Sequence, residues 1–385
     1  MQITFFSFIM SLLWFNIYIL IINFFRKNDR FIISFSTLPL MFFLSLSIFR
    51  LIFNFEISSS TVIRSRSIFP AFYSFIKEPL YLKGYSVKIF QVILFIWVLV
   101  AVILLINNIA KYIAFKKDLE KLDDNSSKEN EKRFKRILKQ AKMENRIDIA
   151  QNNNISSPFI IGILKGKIYI PNIDFSQEEL EYIIRHEINH FVERDSLKKI
   201  LIQIIKYMFW WNPFAHLFAN DFNQILEIQC DLKTTAGFTD TEKIRYLESI
   251  TKIIKNPRSN IKKHSSVANF VNIEEIDSLK QRFRIVLNYK GERNLFNVFS
   301  IGLCFLALGL YISSYFIIIQ PNYEPAGHEI YHTEDIDDSF IIEKPNGSYD
   351  IYINSTFKYN IEKLEDLNKT LRDQPIYKGK MDPDE

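Results

Sequence analysis

Apolar positions in this chain fall into long unbroken runs separated by charged stretches. Four runs, 3–25, 31–55, 89–110 and 295–319, reach the roughly 20 residues that a bilayer-spanning helix needs. The second carries one internal charge, Arg50, which either snorkels to the nearby interface or contacts a neighbouring helix. The pattern predicts three transmembrane helices in residues 1–110 with an outer loop at 56–87, a soluble segment at 111–293, a fourth transmembrane helix in 294–320 and a tail at 321–385. The first run lacks a basic n-region and a small-residue cleavage site, so it is expected to be retained as an anchor.

Between the third and fourth runs the periodicity becomes that of a mixed α and β domain. A charged helical stretch over 116–145 leads into strand-like runs at 147–150, 159–164 and 167–170, the last two forming a hairpin across Gly166. Ser176-Gln177-Glu178-Glu179 reads as a capping box that opens a helix over 177–194. A very apolar helix over 196–211 follows and is broken by Asn212-Pro213; further helices are expected at 214–235, 242–255 and 274–289, with a polar loop over 256–273. The 196–211 helix is expected either on the membrane surface, with Lys198, Lys199 and Lys206 reaching headgroups, or in the domain core. In the tail, two strands flank Pro345-Asn346-Gly347, an Asn-Gly turn signal, and a short amphipathic helix is expected over 361–371.

Charge orients these parts. Arg26, Lys27 and Arg30 link the first two runs, Lys111, Lys116 and Lys117 follow the third, and Lys290 and Arg293 precede the fourth. The tail holds 15 acids against 7 bases. By the positive-inside rule the N-terminus and the tail lie outside and 111–293 is cytoplasmic, although Arg64, Arg66, Lys77 and Lys83 in the outer loop run against it. The two cysteines, Cys230 and Cys304, imply no disulfide framework.

The chemistry concentrates on the helix over 177–194, which carries His186-Glu187-Ile188-Asn189-His190. Residues four apart share a helical face, so both imidazoles can hold one zinc ion while Glu187 handles the proton of a bound water. A catalytic zinc needs a third protein ligand, and the candidate is Glu227, in Glu227-Ile228-Gln229-Cys230-Asp231. Asp231, a turn beyond, could hydrogen-bond the far nitrogen of a ligating histidine. Asp195 either orients a ligand or caps the next helix. Cys230 reads as a packed small residue. A second match, His328-Glu329-Ile330-Tyr331-His332, lacks a supporting apolar face and is read as a chance occurrence, the other reading being an exposed metal-binding loop.

These residues resemble the antirepressor membrane metallopeptidases typified by the beta-lactam sensor-transducers of Gram-positive bacteria, the BlaR/MecR type. The similarity rests on Arg50-Leu51-Ile52, Ser157-Pro158-Phe159 with Gly162, Ile168-Tyr169-Ile170-Pro171, Arg185-His186-Glu187 through His190, Arg194-Asp195, Trp211-Asn212-Pro213, Glu227 through Asp231, and Arg282. It covers roughly residues 1–320 and implies a multi-pass protein of the bacterial cell membrane with a cytoplasmic gluzincin domain. Zinc would lie on His186, His190 and Glu227, with Glu187 as general base. It further implies a sensor-transducer that responds to an extracellular ligand and cleaves itself, a cytoplasmic repressor or both, with no direct nucleic-acid binding. A protease of this type takes its substrate along a sheet edge, here Phe159, Ile160, Ile161 and Gly162. The tail departs from the family pattern: with about 65 residues it is not expected to hold the large penicillin-binding sensor domain, although it contains one Ser-x-x-Lys, Ser355-Thr356-Phe357-Lys358, and it reads as a small α and β module of unassigned ligand. A receptor that uses the protease fold without catalysis, and a membrane quality-control protease, are the competing readings.

Overall fold

The computed structural model describes residues 5–54, 61–65, 75, 79–82, 85–121, 126–255, 273–289, 298–321, 339–345, 347–353, 356–361, 364, 372 and 374–378. The chain divides into two units, one of residues 1–62 and 77–318 and a smaller one of residues 63–76 and 319–385.

In the larger unit, α1 (Phe5–Arg26) is predominantly apolar and ends on a basic residue, Arg26. The second apolar run, expected as one span over 31–55, is instead two helices, α2 (Asp29–Phe35) and α3 (Leu38–Ile52), bent by 100°. The cause is local. Ser36 adopts a left-handed φ of 61° and its N–H closes α2 onto the Ile32 carbonyl, while Pro39 in the first turn of α3 fits a helix start and has no N–H to continue α2. After the short strands β1 (Thr61–Ser65), β2 (Pro79–Leu82) and β3 (Tyr85–Lys88), of which β2 and β3 pair antiparallel, comes α4 (Ile89–Glu120). Its 32 residues absorb the start of the charged stretch. By length and hydropathy α1 and α4 can each cross a membrane, and α2 with α3 makes a third candidate if the bent pair counts as one span.

Next come α5 (Lys128–Gln140) and the strands β4 (Ile147–Asn152), β5 (Phe159–Ile161) and β6 (Gly166–Pro171). The sheet order is β4-β6-β5, with β4 parallel and β5 antiparallel to β6, so the expected hairpin forms and β5 lies at an edge. Gly162 permits the turn after β5: its φ is 122°, and a Cβ there would sit 1.9 Å from the Lys165 carbonyl oxygen. Ile168 and Ile170 of the central strand form one core with Phe134 and Ile137 of α5 and with Ile184 and Ile188 of α6 (Gln177–Val192).

Helices α7 (Asp195–Met208) and α8 (Pro213–Thr234) form a hairpin, followed by α9 (Asp240–Ile254) and α10 (Ile273–Asn288). The catalytic candidates therefore do not sit in a domain separate from the apolar helices. Ile202 of α7 and Phe218, Ile225 and Leu226 of α8 share a core with Phe15 and Ile19 of α1 and Leu40 and Leu44 of α3. Polar ties fix the same packing: Arg26 pairs with Asp221 at 2.6 Å, Gln281 donates to the Arg26 carbonyl at 2.8 Å, and Arg284 pairs with Asp29 at 2.5 Å.

The fourth apolar run gives α11 (Val298–Ser313), only 16 residues, before the strand β7 (Ile317–Pro321). Arg50 is 2% exposed and makes the contact with a neighbouring segment that is one of its two expected roles. It donates to the Ser314 hydroxyl at 3.0 Å and to the Phe53 carbonyl at 3.3 Å, and its guanidinium lies over the Tyr315 ring at 4.2 Å.

In the smaller unit, β8 (Phe340–Glu343), β9 (Tyr349–Ile353), β10 (Thr356–Ile361) and β11 (Ile376–Lys378) form a sheet in the order β10-β9-β8-β11. The expected β8–β9 hairpin is present. Ile361, expected to open a helix, instead ends strand β10; most of that expected helix, the loop 256–272 and His328 to His332 lie outside the described residues.

Candidate metal centre

Helix α6 starts where the sequence says it should. The Ser176 hydroxyl accepts from the Glu179 N–H at 3.2 Å, and the Glu179 carboxylate accepts from the Ser176 N–H at 2.7 Å. Leu180, Ile183, Ile184 and Ile188 bury one face in the core. His186 and His190 therefore emerge together on another face, with their Nε2 atoms 3.1 Å apart. Helix α8 crosses α6 there, tied to it by a hydrogen bond of 2.9 Å from the Asn189 amide to the Thr234 hydroxyl. Glu227 consequently faces both rings, Oε2 3.7 Å from His186 Nε2 and Oε1 3.6 Å from His190 Nε2. Tetrahedral coordination with bonds of about 2.0–2.2 Å sets ligand atoms about 3.3–3.6 Å apart; the observed 3.1, 3.6 and 3.7 Å lie close to that range, so small side-chain adjustments let these three residues hold one metal ion.

Each ring is held from behind. His190 Nδ1 donates to Asp195 Oδ2 at 2.7 Å, which leaves Nε2 with its lone pair toward the site. Asp195 thus orients the His190 ring; it is the first residue of α7, not its cap, and it also pairs with Lys198 at 2.9 Å. Behind His186 the chain of contacts is longer. Its Nδ1 lies 2.8 Å from the Tyr246 hydroxyl, which donates in turn to Asp231 Oδ1 at 2.6 Å. Asp231 is 3.4 Å from the ring, so the support expected from it passes mainly through Tyr246. Arg282 grips Asp231 with two hydrogen bonds of 2.6 and 2.8 Å and reaches Glu227 at 3.4 Å. Among the residues around the site, Tyr246 was not anticipated: a tyrosine on an amphipathic helix looks like core, and nothing in its spacing marks it.

Charges follow from this packing. Burial disfavours the charged form of Glu227, but His190, His186 and Arg282 outweigh it and hold the carboxyl well below its usual range. For His190, burial is opposed by Glu227 and Asp195, and the pKa rises. Burial pushes the Tyr246 hydroxyl well up, so it stays a donor. Glu187 is buried, close enough to His190 and Cys230 to bear on their charge. The ligating atoms of His186, His190 and Cys230 also lie within 4.8 Å of one another. Glu227 is nevertheless the better third donor. Burial, reinforced by Glu227 and Asp231, pushes the Cys230 thiol well up, and its sulfur donates to the His186 carbonyl at 3.1 Å.

Comparison with known proteins identifies a family. The family model described as BlaR1 peptidase M56 matches residues 31–286, which hold the whole of the centre just described. The chain is 26% identical over 301 residues to the regulatory protein BlaR1 of Staphylococcus aureus, covering 74% of this chain and 48% of that protein. It is 22% identical over 218 residues to the regulatory protein BlaR1 of Bacillus licheniformis, covering 56% and 35%. It is 32% identical over 119 residues to the methicillin resistance mecR1 protein of Staphylococcus aureus, covering 30% and 20%. The chain thus spans half or less of these relatives. With the model matched over more than half of its residues, the chain belongs to the BlaR1 peptidase M56 family.

Proposed function

We propose that this chain is a membrane zinc metallopeptidase that acts as a sensor-transducer, cleaving itself, a cytoplasmic repressor or both when an extracellular ligand is sensed. The observation that carries the reading is the convergence of two histidine nitrogens and the Glu227 carboxylate at tetrahedral spacing, each ring oriented by its own hydrogen bond. Zinc bound there would polarise a water and the scissile carbonyl. Glu187 would take the proton of that water and pass it to the leaving amine, and β5 would pair with the extended substrate. Four spans are proposed, with α11 as the core of the fourth. The flanking lysines and arginines support a cytoplasmic centre, with the N-terminus and the tail outside.

The test uses membranes carrying the full chain together with any co-encoded repressor. Glu187→Gln is expected to leave both substrates uncut while keeping the metal, because this residue moves protons and does not ligate. Cleavage by the Glu187→Gln protein at the wild-type rate would refute the reading.

A further inference from the structure

We propose that the α7–α8 hairpin, residues 195–234, is a re-entrant insertion whose outer face is covered by lipid acyl chains, so that the bilayer itself holds the two halves of the metal centre in register. The proposal rests on the reading of α1 and α4 as membrane spans.

Two helices place the hairpin tip independently. On α1, the Asn212 amide donates to Asn16 Oδ1 at 2.9 Å, and Phe209 stacks on Phe8 with ring centroids 6.5 Å apart. Asn16 lies about 15 Å along the helix from Arg26, near the middle of a hydrocarbon layer about 30 Å thick. On α4, Trp97 donates to the Met208 carbonyl and packs against Trp211 with centroids 6.2 Å apart. Trp97 lies about 12 Å from the start of α4, which again is bilayer depth. A hairpin lying flat on the membrane surface could not reach these levels.

The turn between the helices is built for a place without water. There, backbone outside a helix must find protein partners. The Met208 carbonyl accepts from Trp97, the Phe209 carbonyl from the Asn212 N–H at 2.8 Å, the Trp210 carbonyl from His216 at 2.9 Å and the Asn212 carbonyl from the Ala215 N–H at 3.1 Å. The first and third of these donors are side chains standing where water would serve an exposed turn.

The outer face of α7 matches lipid. Leu197, Ile200, Leu201, Ile204 and Met208 are each more than a third exposed, while Ile202 and Ile205 are buried. Beside them α4 exposes Ile93, Val98 and Val102. Lys198 and Lys199, expected to seek headgroups, sit at the hairpin base and pair with Asp195 and Glu227. Lys206 lies higher, and its Cα–Cβ bond tilts toward that base, the direction in which a lysine snorkels. With 14 residues, about 21 Å, α7 enters the bilayer and cannot cross it.

The base of the hairpin carries Asp195 on one arm and Glu227 on the other, so its insertion bears directly on the site. Nitroxide labels at Leu197, Ile204, Met208 and, on α4, Val98 test this, each on the full chain with Cys304→Ser in phosphatidylcholine vesicles. Accessibility to oxygen against a water-soluble nickel chelate reports depth. The expected result is a depth increasing by about 15 Å from Leu197 to Met208, with Met208 as deep as Val98 and closed to nickel. Nickel access at Met208 with Val98 still deep would overturn the insertion alone. Exclusion of both probes at Met208 would mean a protein partner covers the face and would overturn the lipid assignment. Nickel access at Val98 would bring down the span reading and the inference with it.

Discussion

The two histidines of the centre are supported in opposite ways. His190 is oriented by Asp195, five residues on, through one hydrogen bond across the α6–α7 turn. His186 is oriented by Tyr246 of α9, which leans on Asp231 of α8, which is gripped by Arg282 of α10. One support is local and forms with the turn; the other requires three more helices to have docked. The same α10 holds Gln281 on Arg26 and Arg284 on Asp29, so the remote support also reports the position of the helix that leads toward the fourth apolar segment. A centre built this way has one rigid half and one half that depends on the arrangement of the bundle.

The contrast can be broken at Arg282. Arg282→Met leaves Asp231, 1% exposed at its side chain, without its cation, and removal of one partner of such a buried pair costs about 3–5 kcal/mol. The expected result is a much lower midpoint of thermal unfolding in detergent, with Asp231→Asn on top recovering part of the loss; an unchanged midpoint would show that the pair is not what holds α10 to the site. Smaller effects should separate the two supports. Asp195→Asn and Tyr246→Phe should each weaken metal binding, about 10- to 100-fold being usual for such outer partners. Asp195→Asn should be the worse of the two, because Asp231 remains 3.4 Å from His186 when the hydroxyl is gone. Competition titration against a chelator measures both, and equal losses would remove the asymmetry. The smallest effect is expected at the start of α6, where Ser176→Ala should cost about 1 kcal/mol of stability without changing metal affinity.

The local half is also the half that sequence reasoning could reach. The capping box, the His-Glu-x-x-His face and the β5–β6 hairpin all depend on residues within a few turns of one another, and each forms as read; of the two roles open to Asp195, the structure shows the contact with His190. Glu227 is a candidate on chemical grounds, since a metal site with two histidines needs a third donor, and the structure places it facing both rings, while Arg282 is marked only by resemblance. Tyr246 escaped because its role depends on where α9 lands. Elsewhere, the break at Ser36 was hidden by apolar composition, although Ser36-Thr37-Leu38-Pro39 carries the signal of a new helix start. Strand β10 could have been read from the alternation of Phe357, Tyr359 and Ile361. The insertion of α7 could not be, because an apolar helix shorter than a span fits a core, a surface or a re-entrant position equally well.

Metal content tests the central claim most directly. Detergent-purified wild-type protein and Glu187→Gln should each retain about one zinc ion per chain, Glu227→Ala should bind it far more weakly, and the His186→Ala, His190→Ala double variant should hold none. Zinc retained at full stoichiometry in that double variant, and lost instead on replacing His328 and His332, would contradict the assignment of the centre to α6 and α8.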